Sequence, residues 1–259
     1  MEAKSAPQSN DELRDFYEKK YARADGITGI PADDDFMYGQ VVTQIRAYLI
    51  PGSKALDLGC NDGALSLYLA RHGCDVLGID LARNAVETAQ RSGAHHQIGN
   101  ARFEVLDFVK DWNGTEEFDC VLCSHVLEHV PQDDVFMRKI HTALKPGGRL
   151  LLLTPSTYSS LARLSKFFTG RVAHDEEVGH LRRYNRQSIE QVVRDCGFTI
   201  EKIVFLDGAM RDWFILCKLL RRFNCVWSLP VIRRAFNAFD KLTARFFFSA
   251  TLCIHARRK

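Results

Sequence analysis

The sequence lacks long hydrophobic runs. No uninterrupted apolar stretch reaches the roughly 18 residues that a membrane-spanning helix requires, so we expect no span. The segment MEAKSAPQSNDELRDFYEKK is polar and of mixed charge, which argues against a secretory leader. Repeats, low-complexity tracts and known RNA- or DNA-binding motifs are also missing, so we expect no nucleic-acid partner. These absences favour a cytoplasmic globular protein.

Cysteine patterns typical of disulfides are missing too. The eight cysteines are scattered through apolar segments, as expected for buried, reduced thiols. Cys120 and Cys123 have CxxC spacing, but residues three apart on a strand point to opposite faces. We therefore predict two core cysteines here, and neither a disulfide nor a shared metal ion.

Charge is unevenly distributed along the chain. The net charge is +3, but residues 209–259 contain eleven Lys or Arg and two Asp, a net charge of +9, which leaves −6 for the rest. Helices predicted at about 210–223 and 230–245 carry these bases beside apolar stripes. The stripe of the second helix consists of Ile232, Ala235, Phe236, Phe239, Leu242 and Phe246. Either the stripes pack on the domain or on a second subunit, or they make peripheral contact with an anionic membrane.

Short apolar runs alternate with amphipathic stretches from Lys54 onward. This alternation predicts βαβ units, and the very apolar run GRLLLLTP predicts a sheet covered on both faces. We predict an α/β fold: a doubly wound, mostly parallel sheet with helical N-terminal and C-terminal additions. The predicted strands are KALDLG, CDVLGID, ARFEVLD, FDCVLCS, GRLLLLTP, FTIEKIVFLD and the apolar run FFFSATLCIHA.

The remaining segments predict helices and loops. Helices GALSLYLARHG and ARNAVETAQRSG are predicted to end at Gly73 and Gly93. STYSSLARLSKFF predicts an inserted helix, and TGRVAHDEEVGHLRRY predicts a loop crowded with titratable groups. The predicted parts are an N-terminal helical cap (1–50), a central domain (51–208) with an insertion (156–184), and a basic tail (209–259) that completes the domain.

Three acidic residues stand at successive strand ends. Asp57 lies inside the end of the first predicted strand, Asp80 closes the second, and Asp107 closes the third. Asp80 comes 21 residues after Gly59, a spacing that suits the binding of a ribose hydroxyl pair. Each acid alone is equally well explained as the N-cap of the next helix. Their succession beside a glycine turn favours a ligand site.

The loop after the first strand does not match the dinucleotide fingerprint G-x-G-x-x-G. Residues 59–63 read GCNDG, and Asp62 would repel a diphosphate. A positively charged ligand without phosphate fits better, and S-adenosylmethionine is such a ligand. Asn61 stands where glycine is common, but asparagine tolerates a left-handed backbone, so we expect the turn to form.

Six segments occur in an order that resembles class I S-adenosylmethionine-dependent methyltransferases, especially those acting on small molecules and lipids, such as the type 11 and ubiquinone-pathway O-methyltransferase-like enzymes. The segments are ALDLGCNDG, LGID, VLDF, FDCVLCSHVLEHV, LKPGGRLLLLTP and GHLRRYNRQSIEQVVRDCGF, within about residues 54–205. The resemblance implies seven strands with the last antiparallel. It also implies a set of cofactor-binding residues: Asp57, Gly59, Cys60, Asn61, Gly63, Asp80, Leu81, Asp107, Phe108, Ser124 and His125.

The resemblance also implies roles for these positions. The main chain around Gly59 would hold the methionine end, with Asp57 behind it. Asp80 would bind the ribose hydroxyls, with Leu81 against the adenine. Asp107 and the main chain of Phe108 would bind the adenine edge. Ser124 and His125 would line the sulfonium side.

Histidines and an acid supply candidates for catalysis. HVLEH places His125, Glu128 and His129 on one face of a helical turn, and His174 and His180 follow later. Our catalytic candidates are His125, Glu128, His129 and His180. Some relatives, including ubiquinone-pathway and small-RNA methyltransferases, bind a divalent metal through E-x-x-E-H, with a later histidine in the RNA enzymes. His125 replaces the first glutamate here, so we predict no metal; bracing roles for Glu128 and His129 stay open.

We therefore expect methylation, at oxygen, of a small-molecule or lipid-linked acceptor. Arg182, Arg183 and Tyr184 either bind an anionic group of that acceptor or brace the insertion. Carbon and nitrogen acceptors also stay open, as do two alternative functions. One is a nicotinamide-dependent oxidoreductase, and the other is a non-catalytic, membrane-associated adaptor with the same fold.

Overall fold

The computed structural model describes residues 9–20, 26–35, 37–170, 172–208, 211, 230–246 and 249–259. Its centre is a seven-stranded sheet of order β3-β2-β1-β4-β5-β7-β6, in which β1 to β5 pair in parallel and β7 runs antiparallel to β5 and β6. The predicted sheet is thereby confirmed. The strands are β1 Lys54–Leu58, β2 Asp75–Asp80, β3 Ala101–Val105, β4 Phe118–Ser124, β5 Leu144–Pro155, β6 Phe198–Leu206 and β7 Thr251–Arg258.

Helices cover both faces of this sheet. They are α1 Asn10–Lys20, α2 Gly39–Ile45, α3 Ala64–Arg71, α4 Arg83–His95, α5 Phe108–Asp111, α6 Asp133–Ala143, α7 Ser160–Thr169, α8 Ala173–Val178, α9 Arg186–Asp195 and α10 Pro230–Phe246, with 3-10 turns at Arg46–Tyr48 and Leu127–His129. None of the helices described is both long and apolar enough to cross a membrane.

Alternate residues of the central strands enter two different cores. Leu56, Val121 and Leu152 pack on one face with α6 and α9, whereas Ala55 and Leu122 pack on the other. Cys120 and Cys123 follow the same alternation: both are buried free thiols, and they lie in opposite cores. The prediction of two separate core cysteines is confirmed.

Two predictions about the helices are wrong. Helix α4 continues past Gly93 to His95, and this glycine is buried within the helix, where a Cβ atom would make ordinary contacts with Leu67 (3.5 Å) and Phe103 (3.6 Å). The segment predicted as a loop after the inserted helix contains helix α8, which ends at Gly179 with φ of 81°. Short α5 was not predicted, since four residues carry no usable periodicity.

The basic tail is described only in part. The helix predicted at about 210–223 lies outside the described residues except for Arg211, and the one predicted at 230–245 is α10. Its predicted stripe is split: Phe236 is buried, whereas Phe239 and Leu242 are about half exposed. Asp240 faces inward instead and accepts hydrogen bonds from Gln40 Nε2 (2.8 Å) and the Arg211 amide (2.9 Å). The division of the chain into cap, domain and tail stays a prediction.

Candidate functional site

A cavity of about 420 Å³ opens at the carboxyl ends of the parallel strands. It lies where the strand order reverses, with β1 and β2 on one side and β4 on the other. The loops after β1 to β4 and residues of α1, the insertion and β7 all reach it. Of the predicted cofactor residues it brings together Gly59, Asn61, Asp80, Leu81, Asp107, Phe108, Ser124 and His125.

The loop after β1 turns through three left-handed residues. Gly59, Asn61 and Gly63 have φ angles of 71°, 50° and 85°. A Cβ on Gly59 would lie 2.3 Å from a methyl carbon of Val126, so the loop and the segment after β4 approach too closely for any side chain. The prediction that Asn61 adopts a left-handed backbone is confirmed. Its backbone amide donates a hydrogen bond to Asp80 Oδ2 at 2.9 Å.

Asp80 serves both as a loop anchor and as a cavity wall. Its Oδ1 accepts from the Ala82 amide at 2.9 Å, and its Oδ2 accepts from Asn61. Burial raises the pKa of Asp80, opposed by these hydrogen bonds. Each oxygen keeps a second lone pair, so two ligand hydroxyls can still bind.

Asp107 lies two residues beyond the end of β3, so it does not close that strand as predicted. Its Oδ1 caps α5 by accepting from the amides of Val109 (3.0 Å) and Lys110 (3.2 Å). Asp107 is therefore a helix N-cap through Oδ1, as one of the two sequence interpretations predicts. It also lines the cavity beside Phe108.

Asp57, Cys60 and Gly63 lie behind the cavity wall. Asp57 is 2 % exposed and accepts a 2.5 Å hydrogen bond from Ser66 Oγ. Burial, with smaller contributions from Asp80 and Asp62, raises the pKa of Asp57 to about 7. Cys60 packs in a separate apolar cluster. These three residues shape the loop, and their predicted direct contact with a ligand stays a prediction.

Glu128 is a fully buried carboxylate beside the cavity. His125, held at φ of 57°, places Nδ1 3.1 Å from Glu128 Oε1, and Thr154 Oγ1 donates to Oε2 at 3.4 Å. Burial would raise the pKa of Glu128, but the hydrogen bond and charge of His125 lower it below its usual value. Burial lowers the pKa of His125, but the hydrogen bond and charge of Glu128 have the larger opposite effect, so the pKa is raised. The contact between the two groups is an ion pair when His125 is protonated.

His129 joins three segments. Its Nδ1 lies 3.0 Å from the carbonyl oxygen of Gly179 and must donate to it, so Nε2 accepts from the Tyr17 hydroxyl at 3.0 Å. Burial lowers the pKa of His129 to about 4, which favours this neutral form. Tyr17 of α1, which sequence reasoning missed, thus links the N-terminal cap to the site.

His180 enters the cavity from the insertion. Its Nδ1 lies 2.8 Å from Asp175 Oδ1, and its Nε2 lies 3.8 Å from Glu128 Oε1. Burial alone would raise the pKa of Asp175, but hydrogen bonds from His180 and Arg183 lower it to about 2. Asp175 was also missed, because its segment had been predicted as a loop with no geometry.

One cluster has the chemistry of a metal site. Glu128, His129 and His180 each offer a ligand atom within 4.8 Å of the others, and this donor set suits a divalent cation. His125 does not belong to that group, although it precedes Glu128 by three residues. The prediction of no metal stays a prediction.

The HLRRY segment braces the insertion. Arg183 forms a two-pronged pair with Asp175, with Nε 2.7 Å from Oδ2 and Nη2 2.7 Å from Oδ1. Arg182 pairs with Asp133 at 2.8 Å, and the Tyr184 hydroxyl donates to the same carboxylate at 2.8 Å. Both cations are already neutralised, so this geometry favours bracing over the binding of an anionic acceptor.

The chain is similar to known methyltransferases in sequence and fold. A family described as "Methyltransferase domain" matches residues 36–203. Ubiquinone biosynthesis O-methyltransferase of Coxiella burnetii is 27% identical over 58% of this chain and 61% of its own length. The mitochondrial enzyme of that name from Schizosaccharomyces pombe is 39% identical over 44% of this chain and 41% of its own. These matches span less than two thirds of either relative.

A solved structure extends the similarity to nearly the whole chain. Magnesium protoporphyrin IX methyltransferase from Synechocystis PCC 6803, with bound S-adenosylhomocysteine, has a TM-score of 0.65 and 19% identity, and covers 97% of this chain and 100% of that one. The sheet order and this structural similarity define a Rossmann-like α/β fold with a crevice at the carboxyl ends of its strands. The chain belongs to this methyltransferase family, whose model matches residues 36–203.

Asn61 tests the loop. Asn61→Gly should keep the dissociation constant for S-adenosylmethionine within about threefold, because glycine adopts φ of 50° freely. Asn61→Val should weaken binding about 5- to 30-fold, because a left-handed L-residue costs roughly 1–2 kcal/mol and a β-branched one tolerates it poorly. Calorimetric titration checks both. Equal affinity of the two variants would contradict the turn's role.

Asp57 tests the electrostatics of the loop. In the unfolded chain Asp57 ionises near its ordinary pKa of 3.8, whereas in the fold it ionises at about 7. Between these values only the unfolded state loses the proton, so the free energy of unfolding falls as the pH rises. Asp57→Asn removes this decline. The difference between the Tm of Asp57→Asn and that of the wild type should therefore become more positive from pH 5 to pH 8, by about 5 °C or more.

Thermal unfolding of the ligand-free protein at both pH values measures this difference. Glu87→Gln, at an exposed position on α4, removes a carboxylate outside the core and is the control. A Tm difference for Asp57→Asn that stays constant with pH would show that Asp57 is ionised in the fold.

Proposed function

We propose that this methyltransferase transfers a methyl group to a hydroxyl of a small-molecule or lipid-linked acceptor. The observation that carries the proposal is the shared cavity, which joins the predicted cofactor residues to a cluster of histidines. Asp80 and Asp107 stand at one side of it, and His125, His174 and His180 stand at the other. Cofactor and acceptor can thus meet inside one enclosed volume.

The cofactor fits the residues on the first side. Asp80 has lone pairs left for the ribose hydroxyls, and Leu81, Asp107 and Phe108 form the adenine wall. Gly59 lines the cavity with main chain only, so the methionine end can approach the backbone directly. When bound, S-adenosylmethionine supplies an electrophilic methyl group on a positively charged sulfur. Asp80 and Asp107 are the carboxylates that line this side of the cavity.

The second side supplies a base. A hydroxyl acceptor must lose a proton as its oxygen attacks, and a base within hydrogen-bond reach accelerates this step. His180 suits the role, because within the described residues its Nε2 makes no hydrogen bond while Nδ1 is held by Asp175. His129 cannot serve in this conformation, since both of its ring nitrogens are engaged. Glu128 holds His125 beside the sulfonium position.

The acceptor class follows from charge and lining. Arg183 is paired with Asp175, and Asp207 accepts from Thr251 Oγ1 at 2.8 Å and from Arg211 at 3.0 Å. The remaining lining of the cavity is largely apolar and includes Val126, Val130, Phe136, Pro155 and Val178. A neutral acceptor with an apolar body fits this lining better than a phosphate or carboxylate does.

Exposed aromatic side chains on α7 favour a lipid-linked acceptor. Phe167 and Phe168 are 82% and 73% exposed, and Leu164 lies on the same face at i, i+3, i+4 spacing. Arg163 and Lys166 flank this face. Together with the +9 charge of residues 209–259, this surface fits peripheral contact with an anionic membrane.

Two variants should separate cofactor binding from chemistry. Asp80→Ala should weaken S-adenosylhomocysteine binding at least about 100-fold, because it removes the ribose partner and leaves the Asn61 and Ala82 amides unpaired. His180→Gln should bind it normally yet transfer methyl groups at least about 100-fold more slowly. Calorimetry measures binding, and tritiated S-adenosylmethionine with a panel of 4-alkylcatechols and alkyl alcohols measures transfer.

Asp75→Ala, at the opposite end of β2, and His95→Gln, exposed on α4, are the matched controls. Wild-type transfer by His180→Gln would show that another group is the base. Failure of the wild-type chain to bind either cofactor form would overturn the proposed function, whereas binding of NAD instead would support the oxidoreductase alternative.

The α7 surface has its own test. Phe167→Ser with Phe168→Ser should lower partitioning to phosphatidylcholine vesicles containing phosphatidylglycerol by about tenfold or more, since burying each ring contributes roughly 1.5–3 kcal/mol. Flotation with these vesicles and with pure phosphatidylcholine measures the effect. Val135→Ser, at an exposed valine on α6, is the control. Unchanged partitioning would exclude α7 as the contact, and vesicle binding without any methyl transfer would support the adaptor alternative.

A further inference from the structure

Asp175 lies in the insertion, and its carboxylate is held by two other side chains of the insertion, His180 and Arg183. Its Oδ1 lies 2.8 Å from His180 Nδ1, and both of its oxygens are held by the Arg183 fork. The Arg183 fork is fixed in turn, because Nη1 donates to the carbonyl oxygen of Ser156 at 3.1 Å, directly after β5. The carboxylate is therefore tied to the end of the sheet although it belongs to the short helix α8.

The backbone builds the same arrangement from the other side. Gly179, at φ of 81°, ends α8, and the amides of Gly179 and His180 both donate to the carbonyl oxygen of Asp175 at 2.9 Å. This tight turn returns His180 to the side chain of Asp175. The next amide, of Leu181, donates to the carbonyl oxygen of Glu128 at 2.9 Å, which docks the turn on the segment after β4.

This contact decides which ring nitrogen of His180 carries hydrogen. An ionised carboxylate only accepts, so the nitrogen facing Asp175 must be protonated. When the ring is neutral, its one hydrogen is therefore on Nδ1, and Nε2 presents a lone pair. Nε2 lies 3.8 Å from Glu128 Oε1 at the edge of the cavity. A free histidine would populate both tautomers and several ring orientations.

We propose that Asp175 is a positioning residue, which fixes the Nδ1-protonated tautomer of His180 and aims Nε2 at the acceptor, while Arg183 holds Asp175 in place. The proposal rests on the proposed function in one respect, namely that His180 accepts the acceptor's proton. In that step the hydroxyl proton passes to Nε2, the oxygen forms its bond to the methyl carbon, and the electron pair of the broken bond stays on the sulfur.

The tautomer can be measured without any acceptor. Long-range proton–nitrogen spectra of the full chain labelled with nitrogen-15 histidine distinguish protonated from bare ring nitrogens, and His180→Gln identifies the His180 signals. The wild type should show Nδ1 protonated and Nε2 bare. Asp175→Asn should give averaged shifts from mixed tautomers, because the amide also presents a donor to the ring and to Arg183.

Kinetics supply the second readout. With a 4-alkylcatechol that the wild type methylates, Asp175→Asn should lower kcat about 10- to 100-fold, part of the full contribution of a positioned base. The KM for S-adenosylmethionine should stay within about twofold. Glu177→Gln removes a charge from an exposed position of the same helix and should match the wild type in both measurements. Asp175→Glu, which keeps a carboxylate, should recover part of kcat.

Three results would overturn the proposal: an Nε2-protonated His180 in the wild type, an unchanged tautomer in Asp175→Asn, or kinetics of Asp175→Asn equal to those of Glu177→Gln. If Asp175→Asn does not fold, two other measurements test the proposal. One is the tautomer of His180 in the wild type. The other is the tautomer in Arg183→Lys, which keeps the positive charge but cannot make the two-pronged contact with Asp175. An Nδ1-protonated His180 in a chain that binds no cofactor would overturn the proposed function and leave the placement of the ring by Asp175 intact.

Discussion

Parallel strands that end at one edge of a sheet are the constraint on which the rest of this molecule depends. Strands β1 to β4 run in the same direction, so the residues that follow each strand arrive at a common edge. The reversal of strand order between β1 and β4 keeps the loops on either side apart and leaves a crevice between them. Asp80, Asp107 and His125 reach one cavity for this reason, although they are distant in sequence.

The buried carboxylate of Glu128 organises the second half of the site. A charge without solvent exposure is costly unless neighbours compensate it, and here His125 and Thr154 do so. The same region binds the additions to the sheet. Tyr17 of the N-terminal cap meets His129, and the insertion adds His180 and a main-chain bond to Glu128. Cap and insertion thereby close the cavity over a site that the sheet begins.

Local patterns were enough to predict a mostly parallel sheet, the left-handed Asn61 and the position of Asp80 at a strand end, because all three depend on short-range features of the sequence. The antiparallel last strand was implied by the family resemblance. The partners Tyr17 and Asp175 could not be predicted, since each depends on how a separate segment docks on the core. The helical continuation through Gly93 was missed because a glycine at the end of an amphipathic run usually marks the end of a helix, whereas here it keeps helical geometry and lies within helix α4.

A crystal structure of the full chain with S-adenosylhomocysteine tests the central claim most directly. The account predicts the ribose hydroxyls within hydrogen-bond distance of Asp80, the adenine beside Leu81 and Phe108, and the sulfur beside Ser124 and His125, facing the His180 side of the cavity. A ligand bound elsewhere, or one whose sulfur points away from His180, would contradict the division of the cavity into a cofactor side and an acceptor side.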